Sequence, residues 1–225
     1  MPRAARSAAI DATQAQGKNV RHAACRREAR AAAVSRPRAT MTPTSTFMLM
    51  RHAEEPAGAE GSPSLSPRGW QRAGALVRWL APLGDSAVPA PLAQPARIVA
   101  AATTEAHPST RPRDTVTPLA QALELDIEQP FDSGGNEARV AAWLHAVSDA
   151  VLVCWRHESL PDLARALLPA DRASSVPPQW PEDRFDLVWV VHRKGGHWML
   201  KQVPQQRLAG DRTFGVPRRV TSAAA

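Results

Sequence analysis

With 225 residues, 44% of them hydrophobic, the chain can bury one substantial core and little more. The net charge of +7 suggests a basic protein until it is located: residues 1–40 hold nine Lys or Arg against Asp11 and Glu28, so the excess lies there and the remaining residues balance. A neutral body argues against nucleic acid as a partner, two cysteines exclude a disulfide framework, and no apolar run is long enough to span a bilayer.

In chain order, residues 1–45 are rich in Ala and Arg, carry few large apolar side chains and cannot build a core. They read as a disordered basic tail or as a mis-called start, with Met41 just ahead of the first strand-like run. The domain proper is expected from residue 46 to residue 225. Phe47 to Arg51 reads as a buried strand. Ser66 is a helix cap followed by Pro67 and by an amphipathic run through Trp70, Ala73, Leu76, Val77 and Leu80, closed by Pro82 and Gly84. Arg97 to Ala102 is a second strand, Thr110 to Leu123 a second helix, and Glu137 to Val147 a third. Ala150 to Trp155 has the continuous apolar run of a strand covered on both faces. A helix over Pro161 to Leu168 follows. Asp186 to Val191 and Trp198 to Val203 flank His192-Arg193-Lys194-Gly195-Gly196-His197, a hairpin signature. The Pro-rich stretches Ser86 to Pro95 and Ser174 to Pro181 are loops within the domain.

This alternation predicts an α/β fold: a three-layer α/β/α sandwich with a mixed, mostly parallel central sheet and a C-terminal hairpin. Cys154, inside an apolar strand, reads as a small buried hydrophobe in a reducing compartment, and the protein as cytoplasmic.

The chemistry concentrates in Arg51-His52. A strand that delivers a buried histidine beside a guanidinium is a ready phosphate site, a nucleophile next to a bidentate clamp. Two later stretches complete it: Ser109 to Thr115, with Arg111, and the strand ending in Arg156-His157-Glu158. In the order Met50-Arg51-His52-Ala53, Leu65-Ser66-Pro67-Arg68-Gly69-Trp70, Arg111-Pro112-Arg113-Asp114-Thr115 and His157, the chain resembles the histidine phosphatase superfamily, also called phosphoglycerate mutase-like or acid phosphatase-like. The resemblance runs from Thr46 to Leu208.

That resemblance implies that His52 attacks phosphorus and becomes a transient phosphohistidine. Arg51, Arg111 and His157 would bind the phosphoryl oxygens, with no cofactor and no metal. Arg113 rivals Arg111, but the register to Thr115 favours Arg111. Glu158 matches, as Glu for Asp, the His-Asp pair that supplies the acid in the acid-phosphatase branch. The mutase branch draws its acid from the segment after the second arginine, where Asp132 and Glu137 stand. Ala53 departs from the usual Gly, Pro112 and Asp114 depart from the middle motif, and Glu54-Glu55-Pro56 departs from the mutase pattern. Glu54 and Glu55 are expected at the entrance, where their charge favours a mono-phosphoryl ligand. His107 is expected at the pocket mouth. The expected activity is a metal-independent phosphomonoesterase acting on a small phosphorylated substrate. A phosphoglycerate mutase-like phosphoryl transferase and a catalytically weak phospho-ligand-binding module are the alternatives.

Overall fold

The computed structural model describes residues 45–58, 63–84 and 86–218. The readings placed on residues 1–44 and on the tip of the loop after Pro56 lie outside the described residues. The elements are β1 (Thr46–Arg51), α1 (Pro67–Leu80), β2 (Arg97–Ala100), α2 (Arg111–Leu123), β3 (Ile127–Glu128), α3 (Glu137–His145), β4 (Ala150–Trp155), α4 (Leu160–Leu167), a 3-10 turn (Ala173–Ser175), β5 (Leu187–Lys194) and β6 (His197–Pro204).

The six strands form one sheet in the order β3-β2-β4-β1-β5-β6. Pairings β1–β4, β2–β4 and β2–β3 are parallel, while β1–β5 and β5–β6 are antiparallel. β1 is buried at all of its positions because it lies between β4 and β5 and is covered on both faces. Its alternate side chains serve two cores. Met48 and Met50 join Leu152, Cys154 and Val190 under Leu76 and Leu80 of α1 and Val116 and Leu119 of α2. Phe47 and Leu49 join Val151, Val153, Trp155 and Trp189 under Val140 and Leu144 of α3 and Leu160 and Leu163 of α4. The result is the expected three-layer sandwich with a mixed, mostly parallel sheet. Each fully buried Leu or Phe contributes about 1.5–3 kcal/mol to holding these layers together.

Local rules explain the boundaries. The Ser66 hydroxyl accepts from the Gly69 N–H at 3.1 Å and caps α1, with Pro67 in the first turn. Trp70, expected on the buried face, is instead 44% exposed; the stripe is Ala73, Leu76 and Leu80, and Trp70 falls outside it. The β5–β6 hairpin turns through Gly195 and Gly196 at φ 58° and 84°, the two-residue turn whose twist matches the strands. β3, unexpected from sequence, has two residues, too few for a periodic signal. Among the described residues, no helix is long and apolar enough to cross a membrane.

Candidate active site

The register that sets Arg51 beside Trp155 brings the C-terminal ends of β1 and β4 together. A cavity of about 340 Å³ opens there, and its walls include Arg51, His52, Glu55, Arg111, His157 and Glu158. Arg51 and His52 leave β1, Arg111 begins α2, and His157 and Glu158 follow β4. His107, in the loop before α2, and Arg156 line it as well. The structure thus gathers in one cavity all five site residues named from sequence.

His52 is 4% exposed, and its backbone N–H donates to the Trp155 carbonyl at 3.2 Å. Its Nδ1 lies 2.8 Å from the Ala53 carbonyl oxygen. A carbonyl only accepts, so Nδ1 carries the proton and the Nε2 lone pair is left free. Burial pushes the His52 pKa down to about 3; the Ala53 carbonyl works against this, while Arg51, Arg111 and His157 add to it. The imidazole is therefore neutral at physiological pH. Ala53, in place of the usual Gly, is fully buried and does not adopt a positive φ, so its methyl group introduces no backbone strain. Its N–H donates to the Thr115 hydroxyl at 2.8 Å, and that hydroxyl donates to the Arg111 carbonyl at 2.7 Å. Thr115 thereby ties the nucleophile's loop to the helix that carries Arg111.

Arg51 is 2% exposed. Its Nη1 donates to the Glu182 backbone carbonyl, its Nη2 to Glu55 Oε1 at 3.1 Å, and its Cζ lies 4.0 Å from the centroid of the Phe185 ring. Burial lowers the Arg51 pKa, opposed by Glu55 and Glu158. Arg111 donates from Nε to the Ser109 hydroxyl at 2.9 Å and from Nη1 to the second oxygen of Glu55. One carboxylate thus bridges both guanidiniums. Arg113 points elsewhere, toward Asp114 at 3.4 Å, with its side chain 48% exposed.

Glu54 and Glu55 have separate fates. Glu54 turns inward to Arg72, with Oε1 2.7 Å from Arg72 Nη2, and Arg72 also meets Asp211 at 2.8 Å and Gln205 at 3.2 Å. Burial opposes the Arg72 charge, but hydrogen bonds to Glu54 and Asp211 outweigh it and raise the pKa. Only Glu55 reaches the cavity.

His157 Nδ1 lies 3.2 Å from Glu158 Oε2, and Arg156 Nη2 donates to Glu158 Oε1 at 3.2 Å. Burial and Arg51 lower the His157 pKa, with Glu158 acting in the opposite sense. Asp132 accepts from Asn136 Nδ2 at 2.5 Å and from the Gly134 N–H at 3.3 Å, while Glu137 opens α3; neither lines the cavity. Among the described residues, no group of three or more His, Cys, Asp or Glu side chains is arranged to hold a metal ion. Sequence reasoning missed the bridging role of Glu55 and the Glu182 carbonyl. The first had a signal, an acidic residue three positions after the nucleophile; the second is a main-chain contact with none.

No family model matches the chain, and no curated protein matches it. Among solved structures, the chain is similar to the protein histidine phosphatase SixA complexed with tungstate. The identity is 18% and the TM-score 0.48, over 71% of this chain and 97% of that one.

Proposed function

We propose that the chain is a phosphohydrolase acting on a phosphomonoester through a phosphohistidine on His52. One observation carries this reading: a fixed, neutral imidazole with a free Nε2 lone pair stands beside two arginines that already share an oxyanion, the Glu55 carboxylate. A phosphoryl group offers the same guanidiniums more oxygens and more charge. Arg51 and Arg111 hold equatorial oxygens while Nε2 attacks in line, forming the N–P bond as the bond to the leaving oxygen breaks. His157 donates to the charge that builds on the phosphoryl group; that charge, with Glu158 beside it, favours the imidazolium against the burial and Arg51 that lower its pKa. The leaving oxygen takes its proton from a carboxylic acid. Glu158 is the member of the sequence trio that lines the cavity, and Glu55 is a second carboxyl there. Water then attacks phosphorus, the N–P electrons return to the imidazole, and the carboxylate takes the proton of the water. Positioning and charge stabilisation supply most of such catalysis, so the route needs no metal ion.

The side chains after the nucleophile favour hydrolysis over mutase chemistry, because Glu54 is consumed by Arg68 and Arg72 and Pro56 carries no polar group. The test is phosphate release from p-nitrophenyl phosphate in the presence of a chelator. Release is expected in the unmodified protein, together with an acid-labile phosphoryl adduct on rapid quenching, and neither is expected in His52→Ala. Undiminished release from His52→Ala would end the proposal. Phosphate binding without turnover would instead favour a phospho-ligand-binding module.

A further inference from the structure

Two carboxyls share the cavity with His52, and their partners differ in a way that separates their roles. Glu158 is held by Arg156 and His157, each at 3.2 Å. Burial pushes its pKa up, but its own backbone N–H, Arg156 and His157 outweigh burial and leave it lowered. A phosphoryl group seated between Arg51 and Arg111 does not take Arg156 away. Glu158 therefore stays ionised when substrate binds, and an ionised carboxylate has no proton to give.

Glu55 is held by the two guanidiniums that the substrate needs, Arg51 Nη2 at 3.1 Å and Arg111 Nη1. The bridging carboxylate does not saturate the clamp: Arg51 Nε is buried with no hydrogen-bond partner. A phosphoryl group, with three non-bridging oxygens, has more acceptors to offer and displaces it. We infer that Glu55, released from the arginines by the incoming phosphoryl group, takes up a proton and is the general acid for the leaving oxygen.

The inference rests on the phosphohydrolase reading above and assigns one step within it. The titratable and charged groups that line the cavity with Glu55 are Arg51 and His52 from the end of β1, His107 from the loop before α2, Arg111 from α2, and Arg156, His157 and Glu158 after β4; Glu182, from the loop before β5, acts on Arg51 and His157. On displacement Glu55 loses the two cations and gains a phosphoryl dianion as neighbour, with Glu158 and Glu182 of the same sign nearby. Each change favours the neutral acid. Its side chain is 37% exposed, so the proton comes from water. The step then balances. The Glu55 O–H bond breaks to protonate the leaving oxygen, and the carboxylate later accepts the proton of the attacking water. As phosphate departs, Glu55 releases that proton to solvent and returns as a carboxylate to the arginines.

Calorimetric titration of inorganic phosphate in two buffers of different ionisation enthalpy measures the coupled proton. The unmodified protein and Glu158→Gln are each expected to take up about one proton more on binding phosphate than Glu55→Gln does, a difference in which the phosphate's own ionisation cancels. Leaving-group dependence is the second readout. Glu55→Gln is expected to lose roughly 10²–10⁴-fold in the rate of phosphoenzyme formation from an alkyl phosphate while keeping most of that rate with p-nitrophenyl phosphate, whose leaving group needs no proton; its steady-state turnover falls with both substrates, because the attacking water loses its base. Glu158→Gln is expected to lower both substrates by a similar factor. Phosphate binding with unchanged proton uptake in Glu55→Gln would overturn this inference alone, as would a leaving-group-dependent loss confined to Glu158→Gln. Failure of the unmodified protein to bind phosphate would overturn the phosphohydrolase reading itself.

Discussion

The His52 imidazole illustrates how a single buried side chain couples stability to pH. Its unfolded value lies near 6.5 and its folded value near 3, so between these limits the open chain binds a proton that the folded chain refuses. Stability from this group is whole above about pH 6.5 and declines as pH falls toward 3. Asp183, Glu158 and Asp211, whose folded pKa values are also lowered, add losses of the same sign at lower pH. The His52 share is isolated by comparison with His52→Asn. Urea midpoints followed from about pH 7 down to about pH 4 should fall less steeply in that variant. Parallel slopes would mean that the imidazole titrates alike in both states. The same residue shows what sequence could reveal. Arg51-His52 at a strand end announced a nucleophile and a clamp, because both roles belong to side-chain type. Glu55 did not announce its bridge, because that depends on Arg111, 56 positions away. The Glu182 carbonyl was invisible in principle, since every residue supplies one.

Among the elements, α1 meets the loop after β1 at a point where only glycine fits. A Cβ on Gly69 would stand within contact distance of the Glu54 carbonyl oxygen and 3.1 Å from Leu65 Cβ. That carbonyl is the acceptor for the Ser66 N–H at 2.9 Å, so the close approach is part of how the helix start docks on the nucleophile's loop. Gly69→Ala should cost about 1–3 kcal/mol through this overpacking. Gly74, one turn and a half further along the same helix, has no atom within 4 Å of an added Cβ. There Gly→Ala should stabilise by roughly 0.5–1 kcal/mol, through helix propensity alone. Urea midpoints for the pair decide it, and shifts of equal sign would refute the packing argument. Element identity was legible wherever apolar spacing extended over several residues, as in β1, α1, β4 and the β5–β6 hairpin. The helical spacing did not exclude Trp70 from the apolar stripe, because the width of that stripe is set by what packs on it. Similarly, the Leu-Ser-x-x-Gly motif was recognisable as a pattern while the reason for its glycine lay in the loop at Glu54, fifteen residues earlier.

For the molecule as a whole, Arg72 is a central tie. It joins α1 to the loop after β1 through Glu54 and to the chain after β6 through Gln205 and Asp211. Arg72 and Asp211 are each 2% exposed in their side chains, and Glu54 12%, so removal of the cation leaves two carboxylates with little water and the half-exposed Arg68, at 3.1 and 3.8 Å, as their remaining counter-charge. Arg72→Met is expected to cost about 3 kcal/mol. Combining it with Glu54→Gln and Asp211→Asn should recover much of that loss, since the under-compensated charges then vanish as well. Thermal unfolding of the single and triple variants measures both, and a triple variant no more stable than the single one would contradict the charge argument. None of this network was legible beforehand, because its members are scattered over positions 54, 72, 205 and 211 and none has a distinctive neighbour.

The strand order carries a consequence for the birth of the molecule. β1 lies between β4 and β5, yet it precedes both along the chain by about a hundred residues or more. At roughly 5–20 residues per second of synthesis, Phe47-Met48-Leu49-Met50 leaves the ribosome on the order of ten seconds before Val151-Leu152-Val153 can shield it. Throughout that interval this apolar strand has no ladder to join, and it is the segment on which a chaperone or a second nascent chain would act. Of the sheet's six strands, the one that delivers the nucleophile is made first and waits longest for a neighbour.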